Sequence, residues 1–477
     1  MPRRCSLLCF AVGLLLLPSC QRALQYPAIS KDTPKQKEAD ADEVPYRLGW
    51  SEPSERRDLP IVFVPDTSAE WQQLPAFWTH WPPIPLHLGL PPLPAITAIA
   101  LADQHQAIKI KVPRGLPDPT PHIPTNNPPT YGRWRLGKQL FFERKLKAGA
   151  DTYACASCHK PDLGFADGRD RPLDGAYNTL SLVNVVYNRQ QFWDGRVQTL
   201  EETLVRSLED ERTVDDVRQR DKALKQHIWG GFVRTLVQEK KYDNDFELIF
   251  GVDHPSQDTV AKALATYMRT ILSGHSLFDR ADQFRRDKKA PALTAEHFKA
   301  VLKDEHEQSL LDKYSTAPNR DEMPAMLAKG YELFRGKARC AQCHTGPLFT
   351  DQDYHNVGYH DAREGSPPIG QETGRSVHVP IGQKEMRLVG AFRTPSLRNL
   401  ARTRPYFHDG SMPTLPSVLD FYGRSVRLNV SYLAKELRAD EREQQLRLSA
   451  DEMDALVMFL RSLEGTPVAP IVSGAAK

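Results

Sequence analysis

The 477-residue chain lacks any surplus of charge: 63 Lys and Arg face 60 Asp and Glu, a net +3. A balance that close to neutral argues against the basic surface on which nucleic-acid binding depends. Spare cysteines are missing as well. Of the seven, Cys5, Cys9 and Cys20 fall in the first twenty residues, and the other four sit in two short strings. That leaves none for a structural disulfide. Nor is there an apolar run long enough to hold the chain across a bilayer. Leu7 to Leu17, preceded by Arg3 and Arg4, reads as the core of an export signal over residues 1–20. Leu17-Pro18-Ser19-Cys20 reads as a lipoprotein-type cleavage box with Cys20 as the lipidated first residue, simple secretion being the alternative. The expectation is a periplasmic protein that meets the membrane only through a lipid anchor.

What is present is a pair of pentapeptides, Cys155-Ala156-Ser157-Cys158-His159 and Cys340-Ala341-Gln342-Cys343-His344. Two thiols three residues apart can add to the two vinyl groups of one haem, and the adjacent histidine then reaches the iron from below. A zinc knuckle is the rival, but it needs two further ligands near each Cys-x-x-Cys pair, and each is followed by one histidine. Two covalent haem c groups are the expectation.

Proline is abundant, 38 residues in all, and is concentrated before residue 130. Residues 21–58 are polar and charged, as a disordered tether would be. Residues 59–130 read as an irregular Pro-rich extension with one strand at Ile61-Val62-Phe63-Val64, and alternation of the parallel-sheet kind is not evident. A weak repeat follows, Gly137-Lys138-Gln139-Leu140-Phe141 before the first pentapeptide and Gly330-Tyr331-Glu332-Leu333-Phe334 before the second. Helical spacing over Asp258 to Ser273 ends at Gly274, and Ser449-Ala450-Asp451-Glu452 is a capping box opening a last helix. The class is mainly α: two cytochrome c-like haem domains in tandem, at 131–285 and 321–465, with a linker at 286–320 and a tail at 466–477.

Beyond the pentapeptides, four strings carry a resemblance: Leu136-Gly137-Lys138-Gln139-Leu140-Phe141-Phe142, Phe192-Trp193-Asp194-Gly195-Arg196, Thr394-Pro395-Ser396-Leu397-Arg398-Asn399 and Pro405-Tyr406-Phe407-His408-Asp409-Gly410. Residues 132 to 464 resemble the bacterial dihaem cytochrome c peroxidases and their relative MauG. The resemblance implies a peroxide-reactive amino-terminal haem and an electron-transfer haem in the second domain. It makes Trp193 the relay between them, although a large aromatic is ordinarily core. It implies a calcium ion held by Asn178 and the main chain of Thr403 and Pro405; Asn178 could equally bond its own turn. It puts Tyr422 at the sixth position of the second haem iron, with Met412 or Met386 as the alternative.

At the first haem the sequence departs from the family. No histidine lies between residues 160 and 190, where many relatives have one that blocks the resting haem. The family's distal glutamine, proline and glutamate align with Thr203, Ser207 and Thr213, which move protons poorly. Glu209 or Glu211, beside Asp210, then becomes the candidate distal carboxylate, unless this is a solvated acidic loop. The resemblance thus implies a peroxidase taking electrons from a small cytochrome c or cupredoxin and passing them to hydrogen peroxide. The alternatives are a MauG-like oxidase acting on a partner protein and a membrane-tethered electron carrier without catalysis.

Overall fold

A computed structural model of the chain describes residues 59–73, 107–143, 154–169, 177–209, 236, 242–302, 320–359, 374–380, 385–425, 433–437 and 448–474. The signal and tether expected over 1–58 lie outside them. The described part is mainly helical: α1 Tyr131–Phe142, α2 Cys155–Cys158, α3 Leu200–Glu209, α4 Asp243–Phe250, α5 Gln257–Met268, α6 Leu277–Asp287, α7 Ala295–Val301, α8 Met323–Arg335, α9 Leu415–Asp420, α10 Ala450–Arg461 and α11 Pro470–Ser473. None of them is long and apolar enough to cross a membrane.

The strand expected at Ile61–Val64 forms as β1, and it pairs in parallel with β2, Ile108–Lys111. That parallel pair corrects the sequence reading, which found no such alternation. The Ile-Lys-Ile-Lys of β2 does alternate, with both isoleucines buried, but four residues among prolines are too few to stand out. Through Ile61, Phe63, Ile108 and Ile110 the extension joins the same core as α1 and α5. It therefore contributes to the first domain's interior.

Helices α1 and α5 cross closely because Gly137 offers no side chain: an added Cβ would lie 1.9 Å from the carbonyl oxygen of Ala263. Helices α8 and α10 repeat the device, with Gly330 over Ala455 and the added Cβ 2.0 Å from its carbonyl oxygen. The second crossing seats Leu333, Phe334, Leu456, Phe459 and Leu460 in one cluster. Gly330→Ala is expected to push these helices apart and cost at least about 1–3 kcal/mol, read as a lower urea midpoint. A midpoint unchanged from the parent would refute the close crossing.

Side-chain packing groups the residues around the expected domain junction as follows. Leu277 and Ala281 of α6 pack with Phe298, Leu327 and Met458, so the side-chain cores change hands between Leu272 and Leu277. The carboxy-terminal Val472 returns to the first core, its carbonyl accepting the Tyr267 hydroxyl at 2.7 Å. Helix α10 starts at the predicted box, with Ser449 N–H on Glu452 at 2.8 Å and Glu452 N–H on Ser449 Oγ at 3.2 Å. Helix α5 stops at Met268, short of the predicted Ser273. There the Asn184 amide brackets the main chain instead, Oδ1 accepting Ser273 N–H at 2.9 Å and Nδ2 donating to Ser273 O at 2.8 Å.

Candidate dihaem site

Each Cys-x-x-Cys-His string closes one tight turn. His159 N–H reaches Cys155 O at 2.9 Å and His344 N–H reaches Cys340 O at 2.9 Å. This puts both sulfurs and the imidazole on one side of the chain. His159 Nδ1 then donates to Phe165 O at 3.0 Å, and His344 Nδ1 donates to Phe349 O at 3.0 Å. A carbonyl can only accept, so Nδ1 carries the proton and Nε2 keeps its lone pair for iron. Burial holds both imidazoles below their ordinary range, in the neutral form that ligation needs. It also pushes the Cys155 and Cys340 thiols up to about 12.

The supports behind the histidines are duplicated too, and the sequence reading missed them. Phe165 and Phe349 both adopt the left-handed backbone region, φ 57° and 52°, which turns their carbonyls toward the imidazoles. Ser181 Oγ fixes the preceding carbonyl, Gly164 O, at 2.6 Å, and Ser396 Oγ fixes Leu348 O at 2.6 Å. The signal was Thr-x-Ser-Leu-x-Asn, found at Thr179–Asn184 and again at Thr394–Asn399. Both terminal asparagines have positive φ, 61° and 59°. Asn399 Oδ1 accepts Gly465 N–H at 2.9 Å and the Ser273 hydroxyl at 3.1 Å, so Ser273 is held from both repeats.

The paired thiols, one neutral histidine and a fixed Nδ1 in each cradle suit covalent haem. The zinc reading finds weaker support. Beside the second cradle Asp351 and His355 approach Cys343, their ligand atoms within 4.8 Å of one another. Burial alone would lower His355, but its hydrogen bonds to Asp351, at 2.8 Å, and to Cys343 push it up to about 10. Cys340 takes no part in this cluster, so the Cys-x-x-Cys pair as a unit is not gathered around it.

Trp193 is buried where the two repeats meet. Its indole N–H donates to Asn178 O at 2.8 Å, and its own carbonyl accepts Arg393 N–H, from the two-residue strand Phe392–Arg393, at 2.8 Å. Asp194 follows, 1% exposed, paired with Arg196 at 2.9 Å and with His378 at 3.1 Å. Burial works against its charge, but these two partners hold its carboxyl below the usual range. Asn178 Nδ2 donates to Pro405 O at 2.7 Å, and Asn178 N–H reaches His408 O at 2.6 Å. The amide's N and O are interchangeable by a half-turn. A turned Asn178 would set two oxygens, its own and that of Pro405, side by side as calcium requires. Thr403 lies on the neighbouring turn, its methyl against Gly164.

Tyr422 occupies a single π-helical turn, Phe421–Ser425, that continues α9. Burial raises its phenol pKa, and the nearby Cys340 and Cys343 thiols raise it further, which puts it by the second cradle. Of the alternatives, Met386 is 59% exposed, and Met412 is tied by its main chain to Tyr406. Thr203 lies on α3, its hydroxyl bonded back to Thr199 O at 2.8 Å. Glu209 ends α3, but its side chain and that of Ser207 lie outside what is described. Asp210, Glu211 and Thr213 lie outside the described residues altogether.

A family model for di-haem cytochrome c peroxidases matches residues 132–289. The chain is also 30% identical over 408 residues to the cytochrome-c peroxidase IdrP1 of a Pseudomonas species, covering 80% of this chain and 92% of that one. The chain belongs to the di-haem cytochrome c peroxidase family. The methylamine utilization protein MauG of Methylorubrum extorquens is similar at 31% identity over 383 residues, covering 79% of this chain and 90% of that protein. A solved MauG-like protein associated with microbial copper homeostasis superimposes with a TM-score of 0.55 and 25% identity, over 76% of this chain and 98% of its own. As a di-haem family member with two matching cradles, the protein is a two-haem oxidoreductase with tandem haem domains.

Proposed function

We propose that the protein reduces hydrogen peroxide at the amino-terminal site, with electrons entering from a small cytochrome c or cupredoxin through the carboxy-terminal site. The balance is one peroxide, two protons and two electrons giving two waters. The bound haems supply the iron at which the oxygen–oxygen bond is cleaved and through which electrons pass. The chain's own residues do the rest. His159 presents Nε2 to the metal, and its Nδ1–H bond to Phe165 O makes it a more basic ligand. A distal carboxylate, Glu209 or Glu211, moves the proton between the peroxide oxygens. Trp193 carries electrons between the sites, and Asn178, Thr403 and Pro405 hold calcium beside it. In the exported protein Cys20 carries the lipid, leaving these domains in the periplasm.

The observation that carries this reading is the position of Trp193, its indole N–H on Asn178 O of the first repeat and its main-chain carbonyl on Arg393 N–H of the second. Stopped-flow mixing of the oxidised protein with peroxide tests it. A fast spectral change is expected in the parent. Trp193→Phe is expected to keep peroxide binding and to slow transfer between the sites by roughly a hundredfold, a barrier increase of about 2.7 kcal/mol. Two haems inert to peroxide would leave the electron carrier standing in place of the enzyme. A MauG-like oxidase acting on a partner protein is the second reading, favoured by half-buried Tyr422 near Cys340 and Cys343. A phenolate ligand lowers the iron's potential relative to methionine. Tyr422→Phe is the variant that separates the two.

A further inference from the structure

We propose that Tyr359 is a redox-active residue that gives an electron to the second haem site while Asp409 takes its proton. The inference rests on the peroxide reaction proposed above and extends it to a protein-borne store of oxidising power. A phenol that loses an electron becomes a strong acid, so its oxidation is easy only where a base can receive the proton. Three other tyrosines donate to main-chain carbonyls, which cannot take one: Tyr187 to Pro117 O, Tyr267 to Val472 O, Tyr406 to Leu400 O. Tyr359 instead donates to Asp409 Oδ2 at 2.8 Å. Asp409 is 2% exposed, and Ser411 N–H fixes its other oxygen at 3.1 Å.

The rings around the pair supply the path. Tyr359 stacks on Phe407, centroids 5.0 Å apart and planes within 15°. Phe407 lies 6.2 Å from the ring of Tyr422 beside the second cradle and 5.1 Å from Phe421. Tyr242, bonded to the Glu143 carboxylate at 2.7 Å, also has a base, but it lies in the first core, on the far side of the sequence repeat. In the step, one of the two electrons that peroxide takes comes from Tyr359. The O–H proton passes to the Asp409 carboxylate, leaving a neutral phenoxyl and a carboxylic acid. An external one-electron donor then restores both.

Freeze-quench EPR of the oxidised two-haem protein mixed with hydrogen peroxide tests this, with stopped-flow following the peroxide. A tyrosyl radical signal is expected in the parent and in Tyr242→Phe, and its loss is expected in Tyr359→Phe, which keeps the stacked ring. Asp409→Asn cannot accept the proton, and it is expected to slow the signal's appearance by roughly a hundredfold. A signal that survives Tyr359→Phe, or peroxide consumed by the parent without any tyrosyl signal, overturns the inference alone. Peroxide left unconsumed by the parent overturns the proposed function and this inference together.

Discussion

A chain carrying Cys155→Ser and Cys158→Ser is expected to emerge with the mass of one tetrapyrrole in place of two, and with no fast reaction with peroxide. Serine hydroxyls do not add to haem vinyl groups, so no thioether can form at that string. The second string should be unaffected. Its turn is closed by its own Cys340 carbonyl and its own Phe349, and the cores behind the two strings are separate clusters. Intact-mass measurement after acid–acetone extraction reads the attachment, and stopped-flow reads the reactivity. Under the proposed division of labour, the reciprocal pair Cys340→Ser and Cys343→Ser should keep peroxide binding and lose electron entry. If the first pair lost neither a haem nor the peroxide reaction, the assignment of the first site would fall.

Asp279→Ala is expected to destabilise the protein by about 3–5 kcal/mol, the cost of leaving one member of a buried ion pair unpaired. Arg398 and Asp279 have side chains 2% and 3% exposed, and the pair is bidentate, 2.8 Å on each arm. The guanidinium also donates to Gly115 O at 2.9 Å and to Pro347 O at 2.6 Å. One residue thus joins the amino-terminal extension, α6 and the loop behind the second cradle. Burial costs the carboxylate, yet Arg398 and Ser276 hold its pKa below the usual range. Urea unfolding should show the midpoint fall with little change of slope. The double variant Asp279→Leu with Arg398→Met should recover much of the loss, since it leaves no stranded charge. A single variant as stable as the parent would show the pair to be dispensable.

How much of this was legible in the sequence depends on range. Covalent attachment demands contiguous residues, so the two pentapeptides could be read directly. The Ser449 box could be read too, because its partners lie three residues apart. The mainly helical tandem fold followed from the same local signals. The parallel partner of β1 could not, because its register is fixed by a strand 47 positions away (108 − 61). The end of α5 was misjudged for the same reason: Asn184, far upstream, takes the main-chain groups at Ser273 that would have continued the helix. Ser181 and Ser396 were invisible as supports until the loop turns at Phe165 and Phe349 brought carbonyls to them. Asn178 and Pro405 were paired only by resemblance, and nothing local in either stretch announces the other.

The double hold on Ser273 has a mechanical consequence. Asn184 grips its main chain and Asn399 its hydroxyl, and the tight approach of Gly465 to the same turn leaves no room to slide. The junction works as a rivet through both repeats, so thermal breathing of either one should leave the gap between the two irons almost unchanged. A tunnelling rate falls steeply with distance, and a riveted gap would keep that rate steady while the outer loops move.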